Sequence, residues 1–205
     1  MKRLKHTESL SYAEYHDIIK KYLSPRRFSH SLGVVRTGLE LAEIFDESNE
    51  KIQLAAIFHD LCRDWTVEKL NEYVKKFCLD EVYLDNSDLS HGKVAAELLF
   101  FSYGINDLDI INAVRYHTTA RAGMSKLEKI IFVSDAIEPS RDYEKVDYLR
   151  ELAKINLDSA CFFTLEDTIK YLNKGNKQIH KDTILAYEEF KAQMSSYTVG
   201  GINEQ

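Results

Sequence analysis

The stretch that decides the fold is Ile52-Gln53-Leu54-Ala55-Ala56-Ile57-Phe58-His59-Asp60, followed by Leu61-Cys62-Arg63-Asp64. Ile52, Ala55, Ala56 and His59 recur at i, i+3, i+4 and i+7, the spacing of one buried helix face. Ser48 stands where an N-cap would open that helix. The stripe therefore carries a histidine inward, with a carboxylate beside it. A buried polar or charged group is costly unless it is paired. One inward histidine is ordinarily a hydrogen-bonded core residue, so its meaning depends on what other helices bring to it.

The same periodicity runs outward in both directions. Towards the N-terminus, Tyr12, Tyr15, Ile18 and Tyr22 mark one helix, and Pro25 opens another through Phe28, Leu32, Val35, Leu39 and Ala42 to about Phe45. Towards the C-terminus, Thr66 caps a helix through Leu70, Val74 and Phe77. Residues 79–90, rich in Asp, Asn and Ser, read as a loop. Ser90 is the expected cap of a helix that ends near Gly104, with His91 in its first turn. Asn106 or Asp107 caps the next, through Ile110 and Val114 to His117. Ser125-Lys126-Leu127-Glu128 is a capping box, and the helix it starts reaches Ile137 before Pro139. Helices are expected over 144–154, 156–173 with Gly175 at C′, and 182–194. No strand alternation or internal repeat interrupts this pattern. The expected class is all-α, a single helical bundle over residues 12–194, with an extension at 1–11 and a flexible tail at 195–205.

Composition narrows the function classes. The chain has 205 residues, 44% of them apolar and 29% charged, with only 8 Gly and 2 Pro. That suits a folded bundle with a real core rather than a disordered chain. The net charge of −6 supplies no basic field for nucleic acid. No apolar run approaches the roughly 20 residues of a membrane span. Three scattered cysteines, Cys62, Cys78 and Cys161, suggest neither a disulfide framework nor a thiolate zinc site, and a reducing cytoplasmic compartment is expected.

Inward polar residues are not confined to His59 and Asp60. His117 ends the stripe of Ile110, Ala113 and Val114. Asp135 follows Glu128 and Ile131 on one face. His30 lies among Phe28 and Leu32. Di-metal sites are built from such inward side chains on facing helices. His6, His16 and His180 carry no stripe and read as surface residues. Trp65, Tyr83, Tyr103 and Tyr116 are candidates to stack on a base, and Phe162, Phe163, Leu165 and Tyr171 form a core stripe or a dimer face.

The order His30, His59-Asp60, His91, His117, Asp135 resembles the HD-domain superfamily of metal-dependent phosphohydrolases. Arg27-Phe28-Ser29-His30, His59-Asp60-Leu61-Cys62-Arg63-Asp64, His91-Gly92, Arg115-Tyr116-His117-Thr118-Thr119, Asp135-Ala136-Ile137-Glu138-Pro139 and Ile179-His180-Lys181-Asp182-Thr183 are similar to the YqeK family. These are bacterial HD proteins that split diadenosine tetraphosphate symmetrically into two ADP. The resemblance covers about residues 12–190.

It implies two divalent metals. His30, His59, Asp60 and Asp135 would hold one; Asp60, as bridge, with His91 and His117 would hold the other. It suggests iron, and the ligand types equally suit Mn, Zn, Co or Ni. A hydroxide bridging the metals would attack an inner phosphorus. Arg27, Arg63, Arg121 and Arg141, with Thr118 and Thr119, are the expected phosphate contacts. Asp64 is expected to orient water or protonate the leaving phosphate beside Asp60 and Arg63. The expected partner is a dinucleoside polyphosphate or another nucleotide, with no nucleic acid or membrane, in a chain compatible with a homodimer. The chain departs from the family pattern at Arg63, more often Lys, and at Ala120 and Ser140, frequently Gly. The alternatives are an HD-type di-iron oxygenase, a phosphohydrolase acting on another nucleotide, and a nucleotide-binding regulator.

Overall fold

The computed structural model describes residues 11–200, with side chains to residue 195. His6 and most of the expected 1–11 extension lie outside the described residues. Among the described residues there are ten α-helices and no strand. They are α1 (Tyr12–Lys20), α2 (Pro25–Phe45), α3 (Asn49–Phe58), α4 (Val67–Lys76), α5 (Ser87–Tyr103), α6 (Leu108–Tyr116), α7 (Lys126–Ile137), α8 (Val146–Ile155), α9 (Leu157–Lys174) and α10 (Lys181–Gly200). A short 3-10 turn at Glu81–Tyr83 precedes α5.

Local chemistry sets the helix starts. Ser24, Ser48, Thr66 and Asp107 each cap a following backbone N–H, and Pro25 takes the first helical position of α2. At α7, Ser125 and Glu128 satisfy each other's backbone N–H groups in the capping box that the sequence shows.

Three boundaries differ from the sequence reading. α5 starts at Ser87, because Asn86 Oδ1 accepts from Leu89 N–H at 3.1 Å. Asn caps as well as Ser does, and Ser90 is buried instead. His91 therefore sits in the second turn. At the end of α9, Gly175 has a φ of −88°, and Asn176, with φ 49°, takes the left-handed conformation. α10 continues to Gly200, past the expected end at 194 and into the range read as a tail; residues 201–205 lie outside the described residues.

α7 is the central element, packed against α2, α3, α6, α8 and α9. Its Leu127, Ile130, Ile131 and Val133 are fully buried. Burying a side chain of this size is worth about 1.5–3 kcal/mol, so this helix anchors the bundle. α2 and α3 lie on one side of it and α6 on another. The ligand-bearing ends of these helices meet beside α5. Residues of α8, α9 and the start of α10 line a cleft together with residues of α2, α5 and α7.

Candidate metal centre

Four imidazoles converge through their Nε2 atoms. His59 Nδ1 donates to Ala56 O at 2.6 Å, His91 Nδ1 to Ser87 O at 2.9 Å, and His117 Nδ1 to Val114 O at 2.8 Å. Each acceptor lies three or four residues back, so the helix that carries the ring also orients it. His30 is oriented differently, with Nδ1 donating to Glu138 Oε1 at 3.1 Å. A carbonyl or carboxylate can only accept, so each Nδ1 carries the proton and each Nε2 presents a lone pair.

Those lone pairs face one another and two carboxylates. Nε2 of His30 and His59 are 3.3 Å apart, and Nε2 of His91 and His117 are 3.0 Å apart. Asp60 lies between the pairs. Its Oδ2 is 3.7 Å from His30 and 3.5 Å from His59, and its Oδ1 is 3.3 Å from His91 and 3.7 Å from His117. Asp135 Oδ1 is 3.1 Å from His30 Nε2. His30, His59 and Asp60 form one compact ligand group; His59, His117 and Asp135 form a second; Asp60, His91 and His117 form a third, with ligand atoms within 4.8 Å of one another in each. Opposed imidazole lone pairs repel unless a cation lies between them, and four imidazoles with two carboxylates suit a borderline divalent ion. The donor set therefore fits divalent metal.

The electrostatics match. Burial opposes ionisation of Asp60, but the surrounding His59, His117 and His91 reverse that and hold its carboxyl well below the usual range. Asp135 is also lowered, with burial overcome by His30, His59 and Arg141. Burial likewise disfavours charge on His59, yet Asp60 and Asp135 hold it above its ordinary value. His117 is lowered by burial.

Two glycines make room for this packing. A Cβ on Gly92 would lie 2.8 Å from His117 Cε1 and 3.1 Å from Val114 O. A Cβ on Gly33 would lie 2.5 Å from Glu138 Oε2. Glu138 is 1% exposed and also accepts from the Ser140 N–H at 2.8 Å and the Ser140 hydroxyl. Its carboxyl is lowered because these donors and His30 outweigh burial. Ser140, one of the departures from the family pattern, thus contributes a hydroxyl to the group that orients His30. Ala120, another departure, holds a φ of 54°, a left-handed conformation suited to glycine.

The centre lies at the foot of a cleft of about 1040 Å³, at the top of the range for small-ligand pockets. Of the expected substrate contacts, Arg27, Arg63, Thr118, Thr119 and Arg141 line it. Arg27 Nη1 donates to Asp60 at 2.7 Å and Arg141 Nη2 to Asp135 at 2.5 Å. Thr118 Oγ1 lies 3.1 Å from His117 Nε2, and the Thr119 hydroxyl donates to Ala120 O.

Arg121 and Asp64 are placed elsewhere. Arg121 forms a two-pronged pair with the buried Glu128, at 2.7 and 2.6 Å, and is outside the cleft lining. Asp64 accepts from the Ser24 N–H at 2.9 Å, in front of α2, and is not brought to the cleft. This contact ties the turn after α3 to the start of α2.

The aromatic candidates also change. Tyr103 packs on Phe58 and Tyr15 in the core, and Trp65 packs on Tyr73 beneath Lys69. Tyr83 stacks on His180 and Tyr116 lies under Lys93. The tyrosines lining the cleft are Tyr143 and Tyr171. Tyr171 is exposed, Leu165 is core, and Phe162 and Phe163 are partly buried against it. His16 is half-buried on Phe28. His180, read as a surface residue, is buried instead. Glu138, beside His30, and His180, in the cleft lining, have no stripe to announce them: one follows the last turn of its helix, the other precedes a first turn.

A helical bundle whose helices share one aspartate among four histidines has the ligand order and fold of the HD metal-dependent class. The HD domain model matches residues 27–140, and the chain belongs to this family. It is 38% identical over 170 residues to the symmetrical bis(5'-nucleosyl)-tetraphosphatase of Bacillus subtilis, covering 82% of this chain and 91% of that one. It is 35% identical over 173 residues to the protein of the same name from Halalkalibacterium halodurans, covering 84% and 92%. A crystal structure described as a predicted HD superfamily hydrolase involved in NAD metabolism, from Clostridium acetobutylicum, matches with a TM-score of 0.86 at 35% identity. That match covers 91% of this chain and 100% of the other.

Proposed function

We propose that this chain hydrolyses diadenosine tetraphosphate symmetrically, releasing two ADP, with two iron ions as its metals. The observation that carries the reading is the shared Asp60 between two pairs of Nε2 atoms, at the foot of a cleft lined by Arg27, Arg63 and Arg141. The similarity to tetraphosphatases over most of the chain supports the same substrate.

When bound, paired divalent metals acidify water and neutralise phosphate charge. His30, His59, Asp60 and Asp135 would hold one, and Asp60, His91 and His117 the other. Arg27 and Arg141 each keep a ligand carboxylate in place and retain further N–H donors for phosphate oxygens. Thr118 presents its hydroxyl beside the His91–His117 pair. The ADP that departs is a stable anion, so fixed arginine charge serves it without a carboxylic acid.

The reading includes a reducing cytoplasmic compartment, supported by Cys62, Cys78 and Cys161, all free. Among the described residues no helix is long and apolar enough to cross a membrane. Self-association as a homodimer is part of the same reading, and sedimentation tests it.

The deciding experiment incubates the protein, reconstituted separately with iron, manganese and zinc, with diadenosine tetraphosphate and resolves the first products. ADP alone is expected, with turnover falling to background in Asp60→Ala. AMP with ATP would overturn the symmetrical cleavage. Turnover that consumes dioxygen would favour the oxygenase.

A further inference from the structure

In the cleft that His91 and His117 also line, the chain leaves α9, passes Lys177 and Gln178, and enters α10 through His180. This histidine is 4% exposed. Its Nδ1 accepts from the Asp182 N–H at 3.2 Å and lies further, 3.4 Å, from Asp182 Oδ2; the shorter contact favours the neutral tautomer with its proton on Nε2. Burial lowers the pKa of this ring, in keeping with the neutral form. Its face stacks on Tyr83, with centroids 5.6 Å apart and planes at 25°. The ring is therefore held from two directions. Yet Nε2 is buried and has no hydrogen-bond partner. An unmet buried donor is rare in a folded protein and costs the desolvation of its N–H, so a partner missing from the protein itself is the physical expectation.

The surroundings say what kind of partner. His180 lines the same cleft as the metal ligands. Thr183, one turn on, donates to Thr119 O at 2.9 Å, fixing this part of the chain to the segment that follows His117. Arg63 and Lys177 also line the cleft and share one carboxylate, Asp88, at 2.7 and 3.5 Å. Two cations on one anion leave a net positive charge there. Around His180 itself the Lys93 and Lys181 cations stand against the Asp182 and Asp80 carboxylates, so an N–H donor in a cleft that Arg63 and Lys177 also line fits an anionic oxygen.

We propose that His180 is a substrate contact, its Nε2–H donating to a non-bridging phosphate oxygen of the nucleotide bound over the His91–His117 pair. The identity of that nucleotide rests on the function proposed above; the contact itself requires only a nucleoside phosphate in the cleft.

The test titrates zinc-loaded protein, labelled with ¹⁵N-histidine, with ADP. The His180 ring N–H resonance, assigned by its loss in His180→Gln, is expected to move downfield at saturation. A resonance that stays put overturns the contact. Steady-state kinetics give the second reading. Gln places an N–H near the position of Nε2, so His180→Gln is expected to keep KM within about threefold. His180→Leu, with no donor, is expected to raise KM at least about tenfold with a smaller change in kcat. A Leu variant with wild-type KM overturns the proposal. If the resonance moves with ADP but diadenosine tetraphosphate is not cleaved, the assigned substrate fails and the contact stands. If the tetraphosphate is cleaved while the resonance is unmoved, the contact alone fails.

Discussion

The two ends of the metal centre are built by different means. At one end, His91 and His117 are aimed by backbone carbonyls of their own helices, Ser87 O and Val114 O. At the other, His59 is aimed in the same way by Ala56 O, but His30 is aimed by a side chain 108 residues away, Glu138, which is itself held by Ser140. A helix carbonyl moves only if the helix does. A carboxylate on a rotatable stem can be repositioned by any change among its donors. The first end is therefore fixed by secondary structure, while the second depends on a tertiary contact for one of its two histidines, His30, and is open to adjustment there by single substitutions.

The sharpest way to break this contrast is to add one methyl group at each end. In Gly92→Ala the new Cβ meets the His117 ring and the Val114 carbonyl, neither of which can retreat without moving α6. Overpacking of this sort costs about 1–3 kcal/mol, and the variant is expected to bind one metal fewer and lose nearly all turnover. In Gly33→Ala the clash is chiefly with the end of the Glu138 side chain. That carboxylate can swing, so a partial loss is expected. Metal content by elemental analysis, with turnover on the same samples, ranks the two; equal damage would erase the distinction.

A smaller effect is expected from Glu138→Gln. An amide keeps an oxygen for His30 but loses the charge, and loss of such an outer partner typically costs about 10–100-fold in metal affinity. The weakening should fall on one metal only, seen as two separated steps in a chelator competition where the wild type shows closer ones. Uniform weakening of both would mean that the ends are coupled through Asp60 more strongly than through their own supports.

The smallest effect is expected at Arg63. Its Nη1 reaches Ser87 O at 3.5 Å, the carbonyl that also orients His91, and Nη2 pairs with Asp88. The Asp88 pair is largely solvent-exposed, where ion pairs contribute about 0–1 kcal/mol. Arg63→Lys should change metal affinity by less than about threefold, because α5 already fixes Ser87. A tenfold change in the same chelator assay would show that the backbone-built end needs side-chain support after all.

This division also explains what could be read from the amino-acid order. His59 and His117 lie at the ends of apolar stripes, so their inward direction follows from helical periodicity, and Asp135 shares a face with Glu128 and Ile131. The capping box at Ser125 was equally legible. Glu138 and His180 were not. Each lies just outside a helix, where no periodicity predicts direction; Glu138 meets His30 from 108 residues away, and His180 stacks on Tyr83. Asp64 shows the converse: adjacency to Asp60 suggested chemistry, but a turn of the backbone aims it at the Ser24 N–H. The N-cap of α5 was misplaced because Asn86 and Ser90 are both competent caps, and burial, not local preference, decides between them.

The ligands also set a clock on biosynthesis. His30 is the first to leave the ribosome and Asp135 the last, 135 − 30 = 105 residues later. At about 5–20 residues per second, translation separates them by roughly 5–20 s. Throughout that interval the nascent chain carries exposed imidazoles that can take up a metal but cannot enclose it, since α7 supplies both the closing aspartate and the centre of the bundle. The last of these side chains and the central helix therefore emerge together, while Glu138, which orients His30, and the core residues from Leu149 to Phe190 follow.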